Sequence, residues 1–304
     1  MTHVVVTSVI TSGNELGEGV TWCSRTQRLL WTDIQATMLW AWTPATDATQ
    51  TWHLPERLAC FALCENPDWL LAGFASQLAF LHLPSGSCRP IVAVEADLPT
   101  RVNDGACDRE GRFVFGTLHE PVDGGVQQPV GSFYRLDHDL SLHRLDLGHV
   151  AIANALAFSP DGRTLYFCDT PMRRIQCADY ALDGSVSNVR TFVDPDVPDG
   201  VPDGACVDAQ GGLWNAQWGA SRVVRYAPDG RADVVIELPV RQPTRPTFGG
   251  ARLDTLYVTS AWEGLAGTSA TAPAGAGDVL AVKGDWRGLP EACFGGRPQH
   301  GWLP

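Results

Sequence analysis

What constrains this chain most is a phased repeat. Six short runs, each opening on large apolar residues, recur along it: Leu30-Trp31-Thr32-Asp33, Leu70-Leu71-Ala72-Gly73, Phe113-Val114-Phe115-Gly116, Leu165-Tyr166-Phe167-Cys168, Leu213-Trp214-Asn215-Ala216 and Leu256-Tyr257-Val258-Thr259. Their first residues are 40, 43, 52, 48 and 43 positions apart. Most follow a polar turn, as in Thr26-Gln27-Arg28, Glu110-Gly111-Arg112 and Asp161-Gly162-Arg163. A second strand-like run often comes next, for example Met38-Leu39-Trp40-Ala41-Trp42, Ser132-Phe133-Tyr134-Arg135-Leu136-Asp137 and Asp278-Val279-Leu280-Ala281-Val282. Strand, turn, strand, repeated at the blade length of propellers, predicts an all-β chain folded as a six-bladed β-propeller. Each copy is one small antiparallel sheet that cannot bury its faces alone, so neighbours must stack.

The opening run Val4-Val5-Val6-Thr7-Ser8-Val9-Ile10 has no partner in the first copy. It is expected to pair with the last copy and close the ring, which removes an exposed sheet edge. A β-sandwich would not explain the phased copies, and a β-helix would show a far shorter period. No linker or composition break interrupts the repeat, so one domain over residues 1–304 is expected. The stretch from Gly264 to Gly277 is rich in small residues and reads as a flexible loop between strands of the last copy. Its Gly275-Ala276-Gly277 lacks the third glycine and the following helix of a nucleotide-binding fingerprint.

Composition narrows the partners. The chain has 22 Lys and Arg against 34 Asp and Glu, a formal net charge of -12. A surface this acidic repels phosphate backbones and anionic lipid, so neither nucleic acid nor a membrane is the expected partner. No stretch approaches the ~20 consecutive apolar residues of a spanning helix. No basic region followed by a long apolar run opens the chain, so no secretory signal is expected. The nine cysteines form no CxxC pair, and most sit in apolar runs such as Ala59-Cys60-Phe61. They read as buried, reduced side chains of a cytoplasmic protein.

In a propeller the first strand of each blade lines a central channel, so residues in phase across blades converge. Stepping back about ten positions from each apolar anchor reaches Glu18, the neighbourhood of Cys60, Asn103 or Asp104, Asn154, Asp203 and the Pro246-Thr247 region. Taken singly, Asp or Asn before Gly is an ordinary turn residue; the shared phase points to a site. Converging carboxylates repel one another and are costly to desolvate, and a divalent cation resolves that conflict. Glu18, Asn154 and Asp203 supply oxygen donors, which suit Ca²⁺, Mg²⁺ or Mn²⁺; Zn²⁺ or Fe(II) would prefer some imidazole. Asp199-Gly200 competes with Asp203-Gly204 for this register. Asp203 is preferred because Asp203-Gly204-Ala205-Cys206 repeats Asp104-Gly105-Ala106-Cys107.

Other chemistries find no support in sequence. There is no GxSxG, HExxH or P-loop. The acidic run from Asp194 to Asp199 fails the EF-hand pattern, with Pro198 at a ligand position and Asp199 where the glycine is needed. The eight histidines show no metal-ligand spacing, and His119, beside Glu120, reads as a satisfied structural residue. Most of the 11 tryptophans read as packing between blades, with Trp22 and Trp218 as alternatives for the wall of a sugar site. Arg101 is a surface cation by default. Beside an acidic site it would hold a polyol oxygen or a carbonyl.

The segment Leu16-Gly17-Glu18-Gly19-Val20-Thr21-Trp22, followed by Leu30-Trp31-Thr32-Asp33-Ile34, resembles the opening motif of the SMP-30/gluconolactonase/regucalcin-like family. So do Arg101-Val102-Asn103-Asp104-Gly105, Asn154-Ala155-Leu156-Ala157-Phe158, Pro202-Asp203-Gly204-Ala205-Cys206 and Thr244-Arg245-Pro246-Thr247-Phe248 in their own places. The family's usual Pro after Gly-Glu-Gly is Val20 here. The resemblance implies a six-bladed propeller holding one divalent metal on Glu18, Asn154 and Asp203. It implies substrate contacts from Arg101 and Asn103, with Asp104 behind them and Glu120 as a further contact. The activity implied is a sugar lactonase that opens an arabinono-, xylono-, galactono- or gluconolactone to the free acid, with Asp203 as general base. A calcium-binding scaffold propeller, or an esterase acting on non-sugar esters, are the competing readings.

Overall fold

A computed structural model describes residues 4–194, 199–265 and 273–298. His3, His300, the acidic run at 195–198 and the small-residue stretch at 266–272 lie outside the described residues. In chain order the strands are β1 (Val5–Ile10), β2 (Gly17–Cys23), β3 (Arg28–Asp33), β4 (Met38–Thr43), β5 (Ala48–His53), β6 (Leu58–Leu63), β7 (Trp69–Phe74), β8 (Gln77–His82), β9 (Ser87–Ala93), β10 (Thr100–Cys107), β11 (Phe113–His119), β12 (Phe133–Leu136), β13 (Leu142–Arg144), β14 (Ala153–Phe158), β15 (Thr164–Asp169), β16 (Arg174–Tyr180), β17 (Val186–Val193), β18 (Val201–Val207), β19 (Leu213–Trp218), β20 (Arg222–Tyr226), β21 (Ala232–Glu237), β22 (Gln242–Gly249), β23 (Thr255–Ala261) and β24 (Val279–Lys283). Among the described residues they form six four-stranded sheets: β2 to β5, β6 to β9, β10 to β13, β14 to β17, β18 to β21, and β22 to β24 with β1. The fold is the all-β, six-bladed propeller class that the repeat predicts. As expected, the opening strand joins the last sheet, β1 pairing antiparallel with β24.

Burial explains the pattern. The first two strands of most sheets are covered on both faces, as in β6, β7, β11, β14, β22 and β23, where every residue is buried. In β6, β7 and β14 such strands read as nearly continuous apolar runs, whereas β22 buries Gln242, Thr244, Arg245 and Thr247 beside its apolar residues. The last strands are edges and stay largely exposed, as in β5, β17 and β21. They carry polar and charged side chains that discourage edge pairing.

The chain divides into two compact units, Met1–Arg57 with Val193–Pro290, and Leu58–Phe192 with Glu291–Pro304. In the first unit Trp22 stacks on Tyr257 at 6.0 Å and Trp214 meets Phe248 edge-on at 5.7 Å. Its apolar clusters also bury Trp31, Leu29, Val258 and Leu280. In the second unit Phe133 meets Phe167 edge-on at 5.2 Å, inside a cluster with Val114, Leu156 and Tyr180. The segment after residue 290 seals this unit: Phe294 is fully buried, and its N–H donates to the Leu63 carbonyl at 2.7 Å.

Aspartates lock the turns between first and second strands. Asp108 accepts from the N–H groups of Glu110 and Arg112, from Arg112 Nε at 2.6 Å and from the Tyr180 hydroxyl at 2.8 Å. Arg112 also lies over the Tyr180 ring. Burial, then the Asp108 charge, push the Tyr180 phenol far up, so it stays a neutral donor. In the other unit Asp208 accepts from Gln210 and Gly212 N–H, Trp214 Nε1 and Arg225 Nε. All nine cysteines are free and buried or half-buried. Among the described residues, no helix is long and apolar enough to cross a membrane.

Candidate functional site

Each first strand carries a one-residue register shift against the second. The shifts fall between Glu18 and Thr21, Leu58 and Cys60, Val102 and Gly105, Asn154 and Ala157, Pro202 and Ala205, and Pro243 and Pro246. A bulge bends the strand and re-aims its side chains. The expected site residues lie at these bulges, at two adjacent register positions rather than one. Glu18 and Asn154 are the last residues before their bulges, whereas Asn103 and Asp203 are the first residues inside theirs. The difference follows from the backbone. After Glu18 and Asn154 the chain enters the left-handed region, at Gly19 (φ 62°) and Ala155 (φ 57°).

Glycine adopts that conformation freely, but alanine is strained there by roughly 1–2 kcal/mol. Ala155 is fully buried, so its methyl also fills space. Ala155→Gly is therefore expected to keep the unfolding free energy within about 1 kcal/mol of native. Ala155→Val, β-branched at positive φ, should lose about 2 kcal/mol or more. Equilibrium denaturation measures both, and a valine variant as stable as native would contradict the strained-bulge account.

The second unit holds a connected polar cluster. Arg101, on β10, is 7% exposed. Its Nη1 donates to the Val102 carbonyl and to Asn103 Oδ1, both at 2.9 Å. Asn103 Nδ2 donates to the Ala153 carbonyl at 2.8 Å and to Asn154 Oδ1 at 3.2 Å. Asn154 Nδ2 in turn donates to Thr170 Oγ1 at 3.0 Å. These bonds fix the amide orientations, leaving Asn154 Oδ1 as the acceptor end. Glu120 follows β11, with its Oε1 3.7 Å from Arg101 Nε and its side chain half exposed. Asp104 is turned to the backbone: Oδ1 accepts from Gly105 N–H and Oδ2 from Leu156 N–H, which ties the β10 bulge to the β14 bulge.

The first unit holds Glu18 and Asp203. Strand β22 packs against both β2 and β18. Thr244 Oγ1 donates to the Gly17 carbonyl at 2.5 Å, beside Glu18. A Cβ placed on Gly204 would come within 2.8 Å of the Arg245 side chain, so only glycine lets β18 and β22 approach this closely. Asp203 is 6% exposed, and Glu18, half-buried, accepts from Gly19 N–H through Oε2. Among the described residues no three His, Cys, Asp or Glu side chains gather as a metal cluster. The expected donors are two carboxylates and one amide, an all-oxygen set whose chemistry fits a hard divalent cation.

A model of the SMP-30/gluconolactonase/LRE-like region matches residues 16–262. The chain belongs to this family. It is 48% identical over 288 residues to an L-arabinolactonase of Azospirillum brasilense, covering 94% of each chain. It is 35% identical over 298 residues to a 6-deoxy-6-sulfogluconolactonase of Pseudomonas putida, covering 95% of this chain and 98% of the relative. The crystal structure of a calcium-binding protein, regucalcin, from Agrobacterium tumefaciens superposes with a TM-score of 0.87 at 28% identity, covering 94% of this chain and 96% of that one.

Other sequence candidates in this family member resolve differently. His119 is buried, and its Nδ1 accepts from Gln128 N–H at 2.8 Å, a structural role as expected. Trp22 is 2% exposed and stacked on Tyr257, so it is core rather than the wall of a sugar site. Trp218 is half-buried at the end of β19. Two aspartates escape a reading by residue type. Asp33 accepts from the N–H groups of Glu15 and Leu16, and Asp169 from those of Ala151 and Ile152. Each thereby fixes the backbone two residues before Glu18 or Asn154. Burial pushes the Asp169 carboxyl up, against the opposing pull of its two N–H donors. The signal was present in sequence as an Asp closing the strand in both Trp31-Thr32-Asp33 and Phe167-Cys168-Asp169.

Proposed function

We propose that this chain is a divalent-metal-dependent sugar lactonase that hydrolyses an aldonolactone, L-arabinonolactone foremost, to the aldonic acid. The observation that carries the reading is the Arg101–Asn103–Asn154 relay, buried at Arg101 and Asn154 and half-buried at Asn103, which orients a guanidinium and two amides with little freedom to move. Such preorganised donors recognise a polyhydroxylated, uncharged ligand better than an apolar ester. The family, and the arabinolactonase and sulfogluconolactonase relatives, support the lactone as substrate class.

Glu18, Asn154 and Asp203 are the proposed holders of the ion. When bound, such an ion supplies Lewis acidity toward the lactone oxygen and favours ionisation of a water. Asp203 takes the proton of the attacking water as general base. The water oxygen bonds to the acyl carbon, the ring C–O bond breaks, and the ring oxygen leaves as a hydroxyl after receiving a proton. Arg101 and Asn103 orient the sugar hydroxyls, and Glu120, on the exposed side of Arg101, adds a contact. Asp104 acts through the backbone by holding the two bulges together. Aldonolactones already hydrolyse slowly in water, so the barrier to be lowered is modest.

The test is acid release from a panel of L-arabinono-, D-xylono-, D-galactono- and D-gluconolactone, with metal-loaded protein. L-arabinonolactone is expected to give the highest kcat/KM. No release above the spontaneous rate on any lactone would favour a calcium-binding scaffold. Activity confined to apolar esters would favour an esterase.

A further inference from the structure

We propose that Asn215 is a positioning residue that sets the backbone of the Asp203 bulge. The proposal rests on the reading of Asp203 as metal holder and general base. Asn215 lies on β19 and is fully buried. Its Nδ2 donates to the carbonyls of both bulge residues, Asp203 at 2.8 Å and Gly204 at 3.2 Å. A bulge removes these groups from the ladder, and buried carbonyls need a donor. Other bulges are helped by a single hydroxyl bond: Thr21 Oγ1 donates to the Gly19 carbonyl and Thr259 Oγ1 to the Arg245 carbonyl. Asn215 supplies two bonds from one planar group, which fixes the relative orientation of consecutive peptides and so the direction of the Asp203 side chain.

The register makes the choice of residue informative. Asn215 pairs with Ala205, the first pair after the bulge. The residues at that position in the other five sheets are Leu30, Gly73, Phe115, Tyr166 and Val258, and no other is an amide. The amide also brings a liability. Among the described residues, Asn215 Oδ1 is buried and accepts no hydrogen bond. Such an atom is destabilising and offsets part of what the two carbonyl bonds contribute. An amide that leaves one buried acceptor unpaired, on the one bulge that carries the proposed base, fits a role in the site beyond its bonds to the fold.

The test compares native protein with Asn215→Leu, Asn215→Ser and Asp203→Ala. Unfolding midpoint, Ca²⁺ and Mn²⁺ affinity of metal-stripped protein by calorimetry, and kcat and KM for the lactone are measured on each. Asn215→Leu is expected to lower the midpoint modestly, since it removes the unpaired Oδ1 but also the donor to two bulge carbonyls, to lose about 10- to 100-fold in metal affinity, and to lose kcat with little change in KM. Asn215→Ser, which restores one hydroxyl donor, is expected to fall between Leu and native, and decides the matter if the leucine variant does not fold. A folded leucine variant, or failing that a folded serine variant, with native metal affinity and kcat overturns the proposal. If Asp203→Ala loses both while the Asn215 variants keep them, only the role of Asn215 falls. If Asp203→Ala also keeps them, the reading of Asp203 itself fails.

Discussion

Asp203→Ala is expected to abolish lactone hydrolysis by about a thousandfold or more while the protein stays folded. Two roles converge on this carboxylate in the proposed mechanism, so its loss removes an anionic donor to the ion and the acceptor of the water proton together. The fold has little reason to suffer. The bonds from Asn215 run to the main-chain carbonyls of residues 203 and 204 and survive the substitution. Gly204, whose lack of a side chain lets β18 approach Arg245, is untouched. Asp203→Asn separates the roles, since it keeps an oxygen donor but cannot accept the proton at neutral pH. It should bind metal weakly and turn over poorly. Steady-state kinetics with a denaturation curve on each variant check this, and a folded alanine variant with native kcat would refute the assignment.

Asp108→Ala is expected to destabilise the protein by about 3–5 kcal/mol, because it leaves a buried guanidinium without its counter-charge. The Arg112 and Asp108 side chains are 10% and 1% exposed, and their ion pair is 2.6 Å long. The same substitution strips acceptors from the N–H groups of Glu110 and Arg112 and from the Tyr180 hydroxyl. Asp137→Ala is the control. Its partner Arg135 is also largely covered, but the Asp137 side chain is 24% exposed, so the charge left behind has more access to water and the loss should be smaller. Urea titrations at equal protein concentration measure the difference. Equal midpoints for Asp108→Ala and native would show that this turn does not carry the stability assigned to it.

The architecture was legible in sequence where strands are buried on both faces. Leu30-Trp31 or Phe113-Val114 announce themselves because nothing polar interrupts them. The fourth strands, such as Ala48–His53 and Val186–Val193, were not legible, since an exposed edge has the composition of a loop. At the candidate site, residue type and rough spacing pointed to Glu18, Asn154 and Asp203 and left Asn103 and Asp104 as alternatives. The one-step difference in their register was hidden, because it depends on whether Gly19 or Ala155 turns left-handed, and alanine gives no sign of that. Asp33 and Asp169 close their strands at matching places, but like Asn215 they act on main-chain groups, and a bond to a peptide carbonyl or N–H names no partner side chain in the sequence. Trp22 takes the packing reading over the sugar-wall alternative, a choice open in sequence because aromatic identity does not reveal which side of a sheet a ring faces.

The most direct test of the whole account is a reconstitution titration. Metal-stripped protein receives Ca²⁺, Mn²⁺ or Zn²⁺ in substoichiometric steps, and acid release from L-arabinonolactone is followed at each step. The predicted result is no activity in the stripped protein, then a rise in proportion to metal that saturates at one ion per chain, with Glu18→Ala, Asn154→Ala and Asp203→Ala each failing to bind tightly. Full activity after complete chelation, or undiminished binding in all three variants, would contradict it.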